Sequence, residues 1–242
     1  MTGQPRAGPA SKFSVKTAER DWLLTVLAAA SGSADGWSFF GLGHAFVANM
    51  TGNTVLLGIA VFHPTGDANH QLIALAGYVA GTAAGAWLNR RLQSGVVWAR
   101  SVSWTLLLEA LLLFGADVGW VAGGHRSGET HGGALLACVA VAIGLQSGSM
   151  VQLGIPGVVT TYITGTWTTL TSGLTLLVSR KPRVVRNKER YEERFELQAG
   201  ILGAYLASAV LTGWAFHYAP VVVGAFSAAV VLGTGIYGFA RV

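Results

Sequence analysis

Phe46-Val-Ala-Asn-Met-Thr-Gly-Asn-Thr54 is a polar, glycine-containing knot in an otherwise apolar run. It returns in altered form as Val159-Thr-Thr-Tyr-Ile-Thr-Gly-Thr-Trp167. An apolar run of this kind ought to form a plain helix. Glycine raises the entropic cost of fixing helical backbone, and Asn and Thr side chains compete for local backbone hydrogen bonds. In lipid, irregular backbone survives only where protein buries it or a watery cavity meets it. Interruptions at corresponding places in two halves of a membrane protein point to a transporter's binding site.

Composition agrees with a membrane setting. Of 242 residues 52% are hydrophobic and 11% charged, against roughly 25% charged in soluble domains. Long uncharged stretches indicate an all-α polytopic membrane protein. The net charge of +5 comes from basic residues placed between apolar segments. They act as topology signals and give no reason to expect nucleic acid as a partner. Cys138 is the single cysteine and lies in an apolar run, where packing is the expected role and an internal disulfide is excluded.

Residues 1–20 read as a disordered basic tail, ending in Lys12, Lys16 and Arg20. The apolar stretch from Trp22 also has the shape of a signal peptide with cleavage before Asp35. Retention is preferred, because the apolar pattern continues and its counterpart in the second half is internal. Eight apolar pieces follow: Trp22–Gly43, Phe46–Phe62, Leu72–Leu88, Val102–Trp120, Ala134–Leu153, Ile155–Val178, Leu197–Phe216 and Val221–Ala240.

The basic residues argue against eight crossings. If Trp22–Phe62 and Ala134–Val178 each make one net crossing, the tail, Arg90, Arg91, Arg100, the 180–194 loop and Arg241 share one side. The positive-inside rule makes that side cytoplasmic, with both termini on it. Each of these pairs spans roughly 40 residues, twice the ~20 needed for one transmembrane helix. The surplus is expected as a re-entrant segment, or as a helix broken at Thr-Gly. The expected architecture is therefore two inverted three-span repeats with six net crossings. The first is 21–124, the second 134–242, and an external loop at 125–133 joins them. Both knots are expected near the midplane.

Gly77, Gly81 and Gly85 share one helical face, a spacing that lets helix backbones approach closely in lipid. Packing within the chain is the expected use, with a homodimer as the lesser alternative. Ser33-Ala-Asp-Gly36, Met50-Thr-Gly-Asn53, Gly144-Leu-Gln-Ser147 and Thr160-Thr-Tyr-Ile-Thr-Gly-Thr166 together carry a resemblance. From about Trp22 to the C-terminus the chain resembles the YoaK-like family of uncharacterised bacterial inner-membrane proteins. The resemblance implies an integral membrane protein of the bacterial inner membrane and supplies no site residues.

Chemistry must then be read from the residues. Asp35 is an intramembrane carboxyl, a placement costing ~2.5–3.5 kcal/mol at a helix centre. It is therefore a candidate for proton or monovalent-cation coupling; capping the next helix is its structural alternative. Gln146 occupies the comparable place in the second half. Asn49, Thr51, Gly52, Asn53 and Thr54 in one knot, and Thr160, Thr161, Tyr162, Thr164, Gly165 and Thr166 in the other, are candidates to hold a small polar solute or a cation. The alternative is that their side chains bond their own backbone. Glu109 and His44 are candidates for a proton relay with Asp35, Glu109 by sharing a proton with it. His125 and His131 with Glu129 make a weak metal suggestion; with His63 and His70 they are expected simply as solvated loop residues. No phosphate-binding Gly-x-x-x-x-Gly-Lys-[Ser/Thr] and no hydrolase motif occurs. No cofactor and no enzymatic activity is expected. The leading expectation is a secondary transporter or permease for a small polar solute. The alternative is a structural or regulatory membrane protein that recruits partners through its basic loop.

Overall fold

The computed structural model describes residues 17–63, 68–92, 96–124, 129–154, 161, 163–178 and 188–241. Among them are eight α-helices and no strand: α1 (Thr17–Gly41), α2 (Met50–Ala60), α3 (Ala68–Leu88), α4 (Arg100–Ala122), α5 (Glu129–Gln152), α6 (Ile163–Val178), α7 (Lys188–Tyr218) and α8 (Val221–Ala240). Each expected apolar piece corresponds to one helix. Helix α1 begins at Thr17, inside the expected tail, and runs unbroken through Asp35. The 188–194 part of the expected basic loop is the first turns of α7; the rest lies outside the described residues.

Five helices are long and apolar enough to cross a membrane: α3, α4, the Gly132–Gln152 part of α5, the Arg194–Tyr218 part of α7, and α8. Helix α1 is long as well, about 37 Å for its 25 residues. Its apolar content is diluted by Ser31, Ser33, Asp35 and Ser38, all buried. These polar residues are tolerable because α1 is surrounded by protein, packing on α5, α7 and α8. The bundle is arranged for lipid, with Trp22, Phe62, Trp104, Leu111 and Trp214 facing outward and polar Asn53, Glu109 and Gln146 inside.

Small residues set the closest helix contacts. Helices α3 and α5 run in the same direction: Gly77 lies over Ala140, Gly81 over Val141 and Gly85 over Leu145. From the other side Gly144 and Gly148 lie over Thr82. Helices α1 and α7 also run together, Gly200 beside Thr25, Gly32 beside Tyr205 and Gly36 beside Thr212. By contrast α4 and α8 are antiparallel, with Gly238 over Ser103 and Gly224 over Asp117. So are α1 and α8, where Ser227 bonds the Ala30 carbonyl and Gly224 meets Trp37. Helices α4 and α5 are antiparallel too: Cys138 meets the Leu112 carbonyl, while Asn89 links Thr105 to Ser149. The six long helices therefore alternate in direction along the chain. Helices α1, α4 and α7 point one way, and α3, α5 and α8 the other.

One expectation needs correction. The first break is not at Thr51-Gly52 but at Leu42–Asn49, between α1 and α2. The backbone explains this. Gly43 and His44 take left-handed conformations (φ 112° and 54°) that end α1. Asn49 then caps α2 by accepting the Gly52 N–H at 3.2 Å. Gly52 thus belongs to the first turn of α2. A Cβ there would lie 3.1 Å from the Phe46 ring. The second knot is placed alike: Thr164-Gly165 is in the first turn of α6, after an interval beyond Gln152.

Candidate functional site

The first helix break folds back toward the helix it has just left. Six residues before the end of α1, Asp35 Oδ1 accepts the N–H groups of Val47 (2.7 Å) and Ala48 (2.6 Å). At 1.5 Å per residue, Val47 and Ala48 thus return about 9 Å from the end of α1 into the bundle. The other carboxyl oxygen, Oδ2, accepts the hydroxyl of Tyr205 on α7. Asn53, fully buried, clamps the same loop. Its Oδ1 accepts the Phe46 N–H at 2.9 Å, and its Nδ2 donates to the Phe46 carbonyl at 2.6 Å. Thr54 bonds back to the Met50 carbonyl and Thr51 is exposed. The polar groups of the first knot thus hold their own chain in place.

At the second break, Thr161 makes a similar tie through neutral groups. Thr161 Oγ1 lies 2.7 Å from Ser147 Oγ on α5 and 3.3 Å from the hydroxyl of Tyr78 on α3. Ser147 is five residues before the end of α5, much as Asp35 is before the end of α1. In α6, Thr166 is buried, Gly165 half-buried and Thr164 exposed. Thr160 and Tyr162 lie outside the described residues.

Between the two breaks, Gln146 Nε2 on α5 donates to Ser31 Oγ on α1 at 3.0 Å. Ser31 is four residues from Asp35, and Gln146 is adjacent to Ser147. Along the bundle, the two ties therefore lie within about two helical turns of each other. Gln146 thereby joins α1 to α5.

The structure does not assemble the expected relay. Both Asp35 oxygens are engaged by Val47, Ala48 and Tyr205, so no proton is shared with Glu109. Glu109, midway along α4, is fully buried with neither carboxyl oxygen hydrogen-bonded. His44 is exposed at the turn beyond α1; its ring meets Phe39 and its carbonyl accepts from Gln71. The glycine stripe also finds its partner within the chain. A Cβ on Gly81 or Gly85 would strike the carbonyls of Val141 or Leu145, so this face is consumed by α5 and is closed to a second copy. Cys138 is half-buried against Leu112. Among the described residues, no group of three His, Cys, Asp or Glu side chains stands ready to hold a metal. The side chains of Glu129 and His131, and all of His125, lie outside the described residues.

Tyr205, Tyr78 and Ser147 were not singled out by their residue type or spacing. A signal is nonetheless present in the sequence. Gly77-Tyr-Val-Ala-Gly81 is echoed by Ala204-Tyr-Leu-Ala-Ser208, and Trp87 and Trp214 follow each tyrosine by the same interval.

Comparison with known proteins agrees with the membrane reading. The family described as "Protein of unknown function (DUF1275)" matches residues 23–237. The chain is also 32% identical over 155 residues to the UPF0700 transmembrane protein YoaK of Bacillus subtilis (strain 168). That match covers 63% of this chain and 66% of the relative, slightly under two thirds of the latter's length. No solved structure matches. With five helices suited to a bilayer and a transmembrane relative, this is a multi-pass integral membrane protein. The match over residues 23–237 makes the chain a member of the DUF1275 family, to which the YoaK-like resemblance belongs.

Proposed function

We propose that the chain is a secondary transporter or permease for a small polar solute, built from two inverted repeats that make six crossings. One observation carries this reading: the helix pairings map onto themselves when the halves are exchanged. Under that exchange α1 to α4 become α5 to α8. The α3–α5 pair becomes α7–α1, α4–α5 becomes α8–α1, and α2–α3 becomes α6–α7. The α4–α8 pair maps onto itself. Corresponding long helices point in opposite directions, which is the signature of inverted repeats. Crossing of the bilayer by α1, despite its polar face, is part of the proposal.

In this reading α2 and α6 are re-entrant half-helices entering from opposite sides. Each tie includes a tyrosine from the other half, Tyr205 on Asp35 and Tyr78 on Thr161. Rocking one half against the other then changes both ties, as alternating access requires. Asp35 is occupied by backbone and tyrosine donors here. A proton or monovalent cation binds it once the loop withdraws and those donors are lost. The transported solute is a small polar molecule, and the chain itself performs no catalysis.

The satisfied hydrogen bonds of the first knot favour a second reading: a non-transporting structural or regulatory protein whose breaks serve only to shape the bundle. A thermal-stability screen of the purified protein against amino acids, nucleobases and monovalent cations separates the two. A ligand at 100 times its dissociation constant stabilises by about 2.7 kcal/mol. Transport predicts a stabilising ligand that also enters proteoliposomes faster than protein-free vesicles. No shift and no flux across the panel would favour the second reading.

A further inference from the structure

The most anomalous group in the bundle is Glu109. It sits midway along α4, fully buried, and neither carboxyl oxygen has a hydrogen-bond partner. Buried carboxylates are ordinarily paired or hydrogen-bonded, and an orphaned one calls for a functional explanation. Among the described residues, its surroundings offer no countercharge. Helix α8, antiparallel on α4, has no charged residue from Val221 to Ala240. On α5, Cys138 lies near Leu112, and α3 contributes only His70 near its start and Tyr78, which bonds Thr161. Asp35 of α1 is fully engaged. Asp117, two turns along α4, lies against Gly224 of α8. Without a donor or a cation, the site accommodates the carboxyl as the neutral acid.

A line of polar groups leads away from it. Thr105 is four residues earlier on the same face of α4, a neighbouring position at about 5–6 Å between Cβ atoms. Its Oγ1 accepts from Asn89 Nδ2 at 3.0 Å and donates to the Ser101 carbonyl at 2.8 Å, while the same Nδ2 lies 3.0 Å from Ser149 Oγ and from the Gly85 carbonyl. Asn89 is itself buried, and its Oδ1 has no partner. The next residue, Arg90, is exposed. The line therefore runs from the middle of α4 to the end of the bundle that carries Arg90, Arg91 and Arg100.

We propose that Glu109 is a proton-binding site that exchanges with water reaching it from the Arg90 end of the bundle, past the polar side chains of Thr105 and Asn89. The step is a proton transfer. The carboxylate takes a proton from hydronium at that end to become the acid, and returns it to water on release; no other bond changes. This inference deepens the transport reading, because it supplies a coupling site distinct from Asp35.

The test reads the carboxyl directly. Infrared difference spectra of the purified full-length protein are recorded between acidic and alkaline pH, for wild type, Glu109→Gln and Asp35→Asn. The expected result is a protonated-carboxyl carbonyl band that falls on alkalinisation in wild type and Asp35→Asn and is lost in Glu109→Gln. Glu109→Asp, which keeps the carboxyl but moves it, should shift the band and covers the case in which the Gln variant misfolds. A band that is unchanged by pH in wild type, the same in Glu109→Gln, or unshifted in Glu109→Asp overturns the proposal. The measurement needs no solute. A titrating band without solute flux would therefore refute transport alone, and flux without a titrating band would refute the site alone.

Discussion

At the scale of single residues, the polar side chains of the first knot bond backbone. Asn53 closes two hydrogen bonds on Phe46 and is fully buried, whereas Thr54 bonds within its helix at an exposed position. Asn53→Ala leaves the Phe46 N–H and carbonyl without partners and should lower stability by about 1–3 kcal/mol. Thr54→Ala should change it by less than about 0.5 kcal/mol. Melting of the two variants in one detergent checks the contrast, and equal losses would refute the clamp. Tyr205 and Asp35 form a contact between the halves, so Tyr205→Phe and Asp35→Asn should be non-additive. A double-mutant cycle should return a coupling of about 0.5–3 kcal/mol; simple additivity would show that the contact carries no energy. Asp35 was legible in the sequence as a costly carboxyl in an apolar span. Its partners were not, because Val47 and Ala48 act through backbone N–H groups and Tyr205 lies 170 residues away.

At the scale of elements, the apolar runs were legible because helices in lipid must satisfy their backbone internally, leaving long uncharged segments in the sequence. The break was displaced from its expected place for a local reason. Thr-Gly suits the first turn of a helix whose cap accepts the Gly52 N–H, and positive φ at Gly43 and His44 ends α1 earlier. The glycine stripe was legible as a close-packing face, though not which helix it meets. Its role can be tested against a glycine in open surroundings. Gly81→Ala would drive a methyl into the Val141 carbonyl, while Gly58 on α2 has nothing within 4 Å of a Cβ. Gly81→Ala should destabilise by about 1–3 kcal/mol. Gly58→Ala should be neutral, or stabilising by up to about 1 kcal/mol, since alanine favours helix. Chemical or thermal unfolding of both variants distinguishes them, and a neutral Gly81→Ala would contradict the α3–α5 packing.

At the scale of the whole molecule, the charges between the spans by themselves argue for inversion. Arg90, Arg91 and Arg100 share a side with the 180–194 region only if each knot-bearing pair makes one net crossing. The proposed count rests on that charge pattern, on the alternating directions of the six long helices and on the correspondence of pairings between the halves. The 42–49 turn and Thr161 both bond the helices that precede them, and in the proposed architecture α2 and α6 add no crossings. Sequence alone could not supply these cross-half pairings. They depend on surfaces of α1, α3, α5 and α7 that meet only in the folded bundle.

The most direct test is the sidedness of four loops. In a background with Cys138 replaced, single cysteines at Asp67, Gly95, His125 and Asn187 would be labelled with a membrane-impermeant thiol reagent in intact and then permeabilised cells. The account predicts that 67 and 125 label from outside, and that 95 and 187 label only after permeabilisation. An eight-crossing chain would instead put 67, 125 and 187 together on one side and 95 alone on the other. That result would contradict the inverted architecture and the transport reading built on it.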